Sequence, residues 1–168
     1  MRRVYISIGS NIERDTSIRS GVAALREHFG GLTLSTVYES RAVGFEGDDF
    51  YNLVAGFDTA LDAVAANSVL RDIEHRHGRV RGGSGFSSRT LDLDLLLYGD
   101  LVSCENGLAL PRGEITKYAF VLCPLAEIAG QMRHPVSGAS YADLWRAFAL
   151  KGTSEHGLQA LRPVNFQW

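Results

Sequence analysis

Apolar and polar residues alternate along the first segment of the chain, with Val4, Ile6 and Ile8 set between Tyr5 and Ser7 and the run ending at Gly9-Ser10-Asn11. Side chains on a strand point to opposite faces at successive positions, so this is a strand with one apolar face. From Asp15 the period changes to that of a helix. Ile18, Val22, Leu25 and Phe29 share one side, with Asp15 or Thr16 as candidate caps and Gly30-Gly31 as the stop. Leu32, Leu34 and Tyr38, with β-branched Thr33, Thr36 and Val37, predict a second strand. Gly44 and Gly47-Asp48-Asp49 mark a loop before a third strand over Phe50 to Phe57, antiparallel to the second. A second helix, about Leu61 to His77, carries Leu61, Val64, Ala65, Val69 and Ile73 at helical spacing and ends at Gly78. A Gly-rich loop, Arg79 to Ser88, leads into Leu91, Leu93 and Leu95 alternating with Thr90, Asp92 and Asp94. Further on, Gly107 to Pro111 suggests a short strand, and Phe120 to Ala129 and Tyr141 to Phe148 suggest helices, the last with Tyr141, Leu144, Trp145 and Phe148 facing inward. The tail from Lys151 to Trp168 has no clear period.

Strand, helix, strand, strand, helix, strand is the order of an α+β ferredoxin-like sandwich, an antiparallel sheet with helices on one face, here followed by additional C-terminal helices. That arrangement leaves the other sheet face open for a site. With 168 residues, 45% of them hydrophobic, the expectation is a single domain over 1–168 with one well-buried core.

The chemistry concentrates in Arg89-Thr90-Leu91-Asp92-Leu93-Asp94. If the leucines enter a core, the two aspartates share the other face, about 6.5 to 7 Å apart along the strand. They can converge on one cation or hold a pair of them; a solvated edge strand carrying protective charge would show the same Asp-x-Asp. Arg89 at the strand entrance, and Arg79 and Arg81 in the preceding loop, add anion-binding groups. Carboxylates for a hard divalent cation, beside arginines and flexible backbone, suit a polyphosphate substrate and phosphoryl-type transfer.

Net charge of −2 gives no global attraction to nucleic acid or an anionic membrane. No apolar run approaches a membrane span, and no signal-peptide core follows Met1-Arg2-Arg3, so a cytoplasmic location is expected. Cys104 and Cys123 have no Cys-x-x-Cys or metal-ligand partner and read as reduced packing residues. His75 and His77, two apart near a helix end, do not meet on one helical face, and His28, His134 and His156 are isolated.

Gly9-Ser10-Asn11, Phe50-Tyr51-Asn52, Ile73-Glu74 through Gly78-Arg79-Val80-Arg81, Arg89-Thr90-Leu91-Asp92-Leu93-Asp94 and Phe120-Val121-Leu122-Cys123-Pro124-Leu125 together resemble one family, the 6-hydroxymethyl-7,8-dihydropterin pyrophosphokinases. The resemblance runs from about Val4 to about Ile128. It implies the ferredoxin-like fold and an enzyme of folate biosynthesis that moves pyrophosphate from ATP to the hydroxymethyl group of a reduced pterin, releasing AMP. It implies two magnesium ions on Asp92 and Asp94 and ATP as co-substrate. It places Glu74, Arg79, Arg81, Arg89 and Arg112 at the ATP, with Arg81, Arg89, Asp92 and Asp94 as catalytic groups. It places Asn52 at the pterin edge, Phe50 and Phe120 on its two faces, and Ser40 and Val43 where backbone contacts it. Tyr51 alternates with Phe50 and is expected to face away. The Gly82-Gly83-Ser84-Gly85-Phe86 stretch resembles a segment that closes over ATP in the family.

The chain departs from the family pattern at the phosphate site. It has Pro111-Arg112 where Pro-His is usual, Tyr118 where an arginine precedes the phenylalanine, and Gly85 where an arginine is familiar. Arg112 and Lys117 keep positive charge nearby, though arginine and lysine are not equivalent there. The partners expected are ATP and a reduced pterin, with no nucleic acid, no membrane and a monomeric chain. The rival readings are a paralogue acting on a different pterin and a catalytically weak pterin- or nucleotide-binding protein.

Overall fold

A computed structural model describes residues 1–44, 46–78, 90–151 and 161–168. The predicted strand–helix pattern is realised as β1 (Arg2–Ser10), α1 (Arg14–Phe29), β2 (Thr33–Leu34), β3 (Val37–Ser40), β4 (Phe50–Thr59), α2 (Ala63–Arg76) and β5 (Asp92–Tyr98). A 3-10 turn (Gly113–Thr116), α3 (Ala119–Ala129), α4 (Tyr141–Lys151) and β6 (Arg162–Val164) follow. The described strands form one antiparallel sheet in the order β5-β1-β4-β3-β6, with β2 also on β4. This is the α+β sandwich that the element order implies.

The first core lies between the sheet and α1 and α2. Val4, Ile6, Ile8, Leu53, Ala55, Phe57, Leu91, Leu93 and Leu95 meet Ile18, Val22, Leu25, Leu70 and Ile73 there, and Phe29 stacks on Phe57 at 4.1 Å between ring centroids. Alternation delivers this face, as expected. Gly21 lets α1 come close, since a Cβ at that position would lie 2.9 Å from a Leu91 methyl.

The opposite face is not left open along its length. Tyr5, Val54, Leu96 and Leu97 pack under Ile115, Val121, Leu122, Leu125 and Tyr141 in a second core. The C-terminal helices therefore cover much of the face that a bare ferredoxin-like sandwich exposes, and among the described residues the end of that face carrying Asn52, Gly9 and Asp92 lies beyond this core. A register shift between Tyr5 and Ile6 in the β1–β5 pairing accompanies the change at Leu96-Leu97, where both neighbours are buried.

Several expectations are corrected. Helix α1 starts at Arg14 after Glu13, whose φ of 43° is left-handed, and no side chain caps it; Asp15 instead pairs with Arg19 at 2.6 Å. Helix α2 starts after Asp62, whose carboxylate accepts the Ala65 N–H at 2.8 Å. Leu61 and Val64 are consequently 39% and 46% exposed, and the buried stripe is Ala63, Ala66, Leu70, Ile73 and Glu74. The proposed strand at Gly107 to Pro111 reduces to a bridge between Ser103 and Leu110. The second strand is broken in two at Ser35, whose N–H donates to the Val54 carbonyl and whose hydroxyl accepts the Val54 N–H, each at 2.9 Å. The unpatterned tail contributes β6, which pairs with β3 while Arg162 bonds Glu39.

Candidate active site at the sheet end

Three strands meet at the open end of the second face. The register aligns Asn52 of β4, Gly9 of β1 and Asp92 of β5 in one row, and Val54, Ser7 and Asp94 in the next. Partners in register project to the same face, and strands lie about 4.8 Å apart, so Asn52 and Asp92 stand about 10 Å from each other across Gly9. Glycine matters at that central position. A Cβ on Gly9 would sit 3.0 Å from Asn52 Oδ1 and 3.8 Å from Phe50 Cδ1.

Neutral groups build the Asn52 end. Asn52 is 9% exposed and its amide nitrogen donates to the Ser40 hydroxyl at 2.7 Å, so two adjacent strands fix its carboxamide plane. Phe50 is half-buried beside it on β4. Phe120 is in the first turn of α3, and Tyr118 stacks against it with 5.0 Å between centroids and 15° between planes. Tyr118 is 7% exposed, and the Lys117 ammonium lies 5.3 Å from its ring. Val43 packs at the margin of the second core. Tyr51 belongs to the other face, under the Arg14 guanidinium at 3.9 Å and edge-on to Phe166.

The Asp92 end is built from charge. Asp94 lies 3.5 Å from the Arg112 guanidinium and 3.7 Å from that of Arg71. Arg112 also pairs with Glu114 at 2.9 Å, and its N–H donates to the Leu96 carbonyl on β5. Glu74, 1% exposed, accepts the Leu93 N–H at 2.8 Å and the Arg71 guanidinium at 2.6 Å. Burial pushes its carboxyl up to about 9, with the Asp92 and Asp94 carboxylates adding to the rise and the Leu93 N–H opposing it. Among the described residues no group of three or more His, Cys, Asp and Glu is arranged to hold a metal ion. The donor chemistry nonetheless suits a hard cation, because Asp92 and Asp94 present two carboxylates from one face of β5. Next to Asp94 a cavity of about 230 Å³ is lined by Asn67, Arg71, Leu95, Leu108, Leu110 and Arg112.

The structure thus gathers Ser40, Asn52 and Phe50 at one end of the row and Glu74, Asp92, Asp94 and Arg112 at the other. Arg79, Arg81, Arg89 and the Gly82 to Phe86 stretch lie outside the described residues. Two contributors escaped the sequence reading. Gly9 stands in the sequence at a strand end and in one of the family strings with no role of its own, and its place between Asn52 and Asp92 needs the strand register. Arg71 had a signal, the i,i+3 spacing to Glu74, but that spacing reads equally well as a surface pair.

Comparison with known proteins bears on this geometry. Residues 5–130 match the family described as 7,8-dihydro-6-hydroxymethylpterin-pyrophosphokinase (HPPK). The chain is 34% identical over 139 residues to the 2-amino-4-hydroxy-6-hydroxymethyldihydropteridine pyrophosphokinase of Bacillus subtilis, covering 80% of this chain and 83% of that protein. It is 34% identical over 143 residues to the Haemophilus influenzae protein of the same name, covering 82% and 88%. Among solved structures it resembles wild-type Plasmodium falciparum HPPK-DHPS with STZ-DHP, at a TM-score of 0.75 and 12% identity, over 96% of this chain. The chain spans only 45% of that larger protein, and at this identity the likeness speaks for the fold alone.

Proposed function

The chain belongs to the HPPK family, and from that premise we propose how its own residues serve the family reaction, transfer of pyrophosphate from ATP to the hydroxymethyl group of 6-hydroxymethyl-7,8-dihydropterin. In the step itself the hydroxymethyl oxygen bonds to the β-phosphorus of ATP. The bond from that phosphorus to the α,β-bridging oxygen breaks, AMP leaves, and the hydroxyl proton is lost.

The observation that carries the reading is the row Asn52–Gly9–Asp92. An amide offers a donor and an acceptor to the edge of a pterin, and the bare backbone at Gly9 leaves room for a flat ring above the sheet. Phe50 and Phe120 supply aromatic faces for that ring. A pterin held by Asn52 and laid over Gly9 directs its one-carbon arm toward Asp92 and Asp94. The strand spacing therefore sets the reach between the recognised edge and the reacting oxygen.

Asp92 and Asp94 would hold the two magnesium ions, which would supply charge neutralisation and orientation of the polyphosphate. Arg112 adds positive charge beside Asp94, and the cavity lined by Asn67, Arg71, Leu108 and Leu110 takes the nucleoside part of ATP. Arg79, Arg81 and Arg89 contribute further phosphate-binding charge, as their sequence positions imply. Catalysis is then mainly positioning and charge stabilisation. The chain acts as a single-domain monomer in the cytoplasm; no helix among the described residues is long and apolar enough to cross a membrane.

The test is to mix the protein with ATP, magnesium and 6-hydroxymethyl-7,8-dihydropterin and to separate the products. AMP with a pyrophosphorylated pterin is expected. ADP in place of AMP, or ligand binding without turnover, overturns the reading.

A further inference from the structure

We propose that Arg71 and Glu74 of α2 form a clamp on the peptide groups of Leu93 and thereby position Asp92 and Asp94, a role that rests on the reading of those aspartates as metal ligands. Among the described strands, β5 is at the edge of the sheet. In an antiparallel ladder, alternate residues turn both N–H and C=O toward the partner strand, and those between turn theirs outward. Leu93 is an outward residue. Its N–H donates to Glu74 Oε2 at 2.8 Å, and its C=O accepts from Arg71 Nη2 at 2.6 Å. Two helix side chains thus stand where another strand would pair.

The clamp is closed on itself, because Arg71 Nη1 also donates to Glu74 Oε1 at 2.6 Å. The guanidinium is a rigid planar fork, so one side chain fixes both the carboxyl and the Leu93 carbonyl. Asn67 steadies the same nitrogen at 3.4 Å, and the Leu93 side chain is buried in the first core. The residues immediately before and after Leu93 are Asp92 and Asp94. Like charges two apart on an edge strand repel, and a strand paired on one side only can relieve that repulsion by twisting outward. Fixing the intervening peptide from α2 opposes the twist and keeps both carboxylates aimed at one place. Buried Glu74 acts through Leu93 as a positioning residue. Arg71 lines the nucleotide cavity as well, so the test separates positioning from nucleotide contact.

The experiment compares the wild type with Arg71→Met, Arg71→Lys, Glu74→Met and Glu74→Gln in the full chain. Four quantities are read: amide exchange of Leu93 by NMR without ligand, Mn²⁺ affinity by EPR with a non-hydrolysable ATP analogue, the pterin dissociation constant, and the KM for ATP. Arg71→Met and Glu74→Met are expected to speed Leu93 exchange and to weaken Mn²⁺ binding by about 10- to 100-fold, with pterin affinity unchanged. Arg71→Lys, able to make one of the two bonds, is expected to recover part of the loss. Glu74→Gln, which keeps an acceptor for the Leu93 N–H, is expected to restore its protection from exchange. Unchanged Leu93 exchange in the methionine variants overturns the clamp. So does unchanged Mn²⁺ affinity with a raised KM for ATP, which would make Arg71 a nucleotide contact. If a methionine variant does not fold, Arg71→Lys decides, since a loss of Mn²⁺ affinity is expected there too and its absence counts against the clamp. A wild type that makes no AMP overturns the functional reading, while the exchange and Mn²⁺ comparisons still decide the clamp.

Discussion

The Asn52 end and the Asp92 end of the row, proposed as the pterin end and the metal end, face each other across one glycine and are held in place by opposite means. At the pterin end, Asn52 and Ser40 bond each other between paired strands, and the Tyr118 and Phe120 rings rest on the second core. Those groups are neutral, and their geometry is complete before any ligand arrives. At the metal end, Asp92 and Asp94 of β5 lie beside Glu74 and Arg71 of α2 and beside Arg112. There the geometry depends on charge balance, which a cation and a polyphosphate alter. Pterin recognition is therefore expected to be insensitive to metal, salt and the state of the acidic cluster, and transfer is expected to be sensitive to all of them.

The sharpest break is at Asp94. Asp94→Ala removes a proposed metal ligand from a strand whose leucines still pack, so AMP formation is expected to fall on the order of 10³-fold. Pterin titration and melting temperature should stay close to the wild type. Loss of pterin binding in the same variant would mean that the two ends are one cooperative unit. The mirror-image change is Asn52→Ala, which is expected to weaken pterin binding about 10- to 100-fold and to leave the affinity for a non-hydrolysable ATP analogue unchanged; calorimetric titration of each ligand reads both. Gly9→Ala tests the ground between them. Its Cβ would meet Asn52 Oδ1 at 3.0 Å, so a smaller fall in pterin affinity is expected, about tenfold or less, again without effect on Mn²⁺ binding. Equal weakening of both ligands would show that the extra methyl moves the strand rather than the amide.

The same contrast explains what could be read from the sequence. The first core was legible because Val4, Ile6 and Ile8 and Leu91, Leu93 and Leu95 alternate cleanly, and period 2 is a property of neighbours in sequence. The second core was not. Tyr5 shares its strand face with Ser7, so that face reads as polar although Tyr5 and Val54 are buried under α3 and α4. Strand β6 escaped for a related reason: three residues including Pro163 show no period, and only the free edge of β3 makes them a strand. In the site, Asp92, Asp94 and Asn52 stood out as residue types in a specific string. Gly9 and Arg71 act by where they lie between other groups, and that information resides in strand register and in the approach of α2 to β5.

The mildest effect expected is on the pH dependence of stability, and its sign follows from Glu74. In the folded protein burial and the two aspartates raise this carboxyl from 4.5 to about 9. Between those limits the folded state holds a proton at Glu74 that the unfolded chain has released. Stability from this group is then fully present below 4.5 and is lost as the pH rises through about 9. Glutamine has no such proton, so the melting temperature of the wild type minus that of Glu74→Gln should fall steadily across the interval when divalent cation is absent. Magnesium with a non-hydrolysable ATP analogue should flatten the fall, since it offsets the charge of Asp92 and Asp94 and leaves burial as the remaining cause. A difference that stays level without cation would mean that the Arg71 guanidinium, 2.6 Å away, keeps Glu74 ionised throughout. The metal end would then be balanced by the protein's own charges, and the contrast with the neutral pterin end would narrow to one of composition alone.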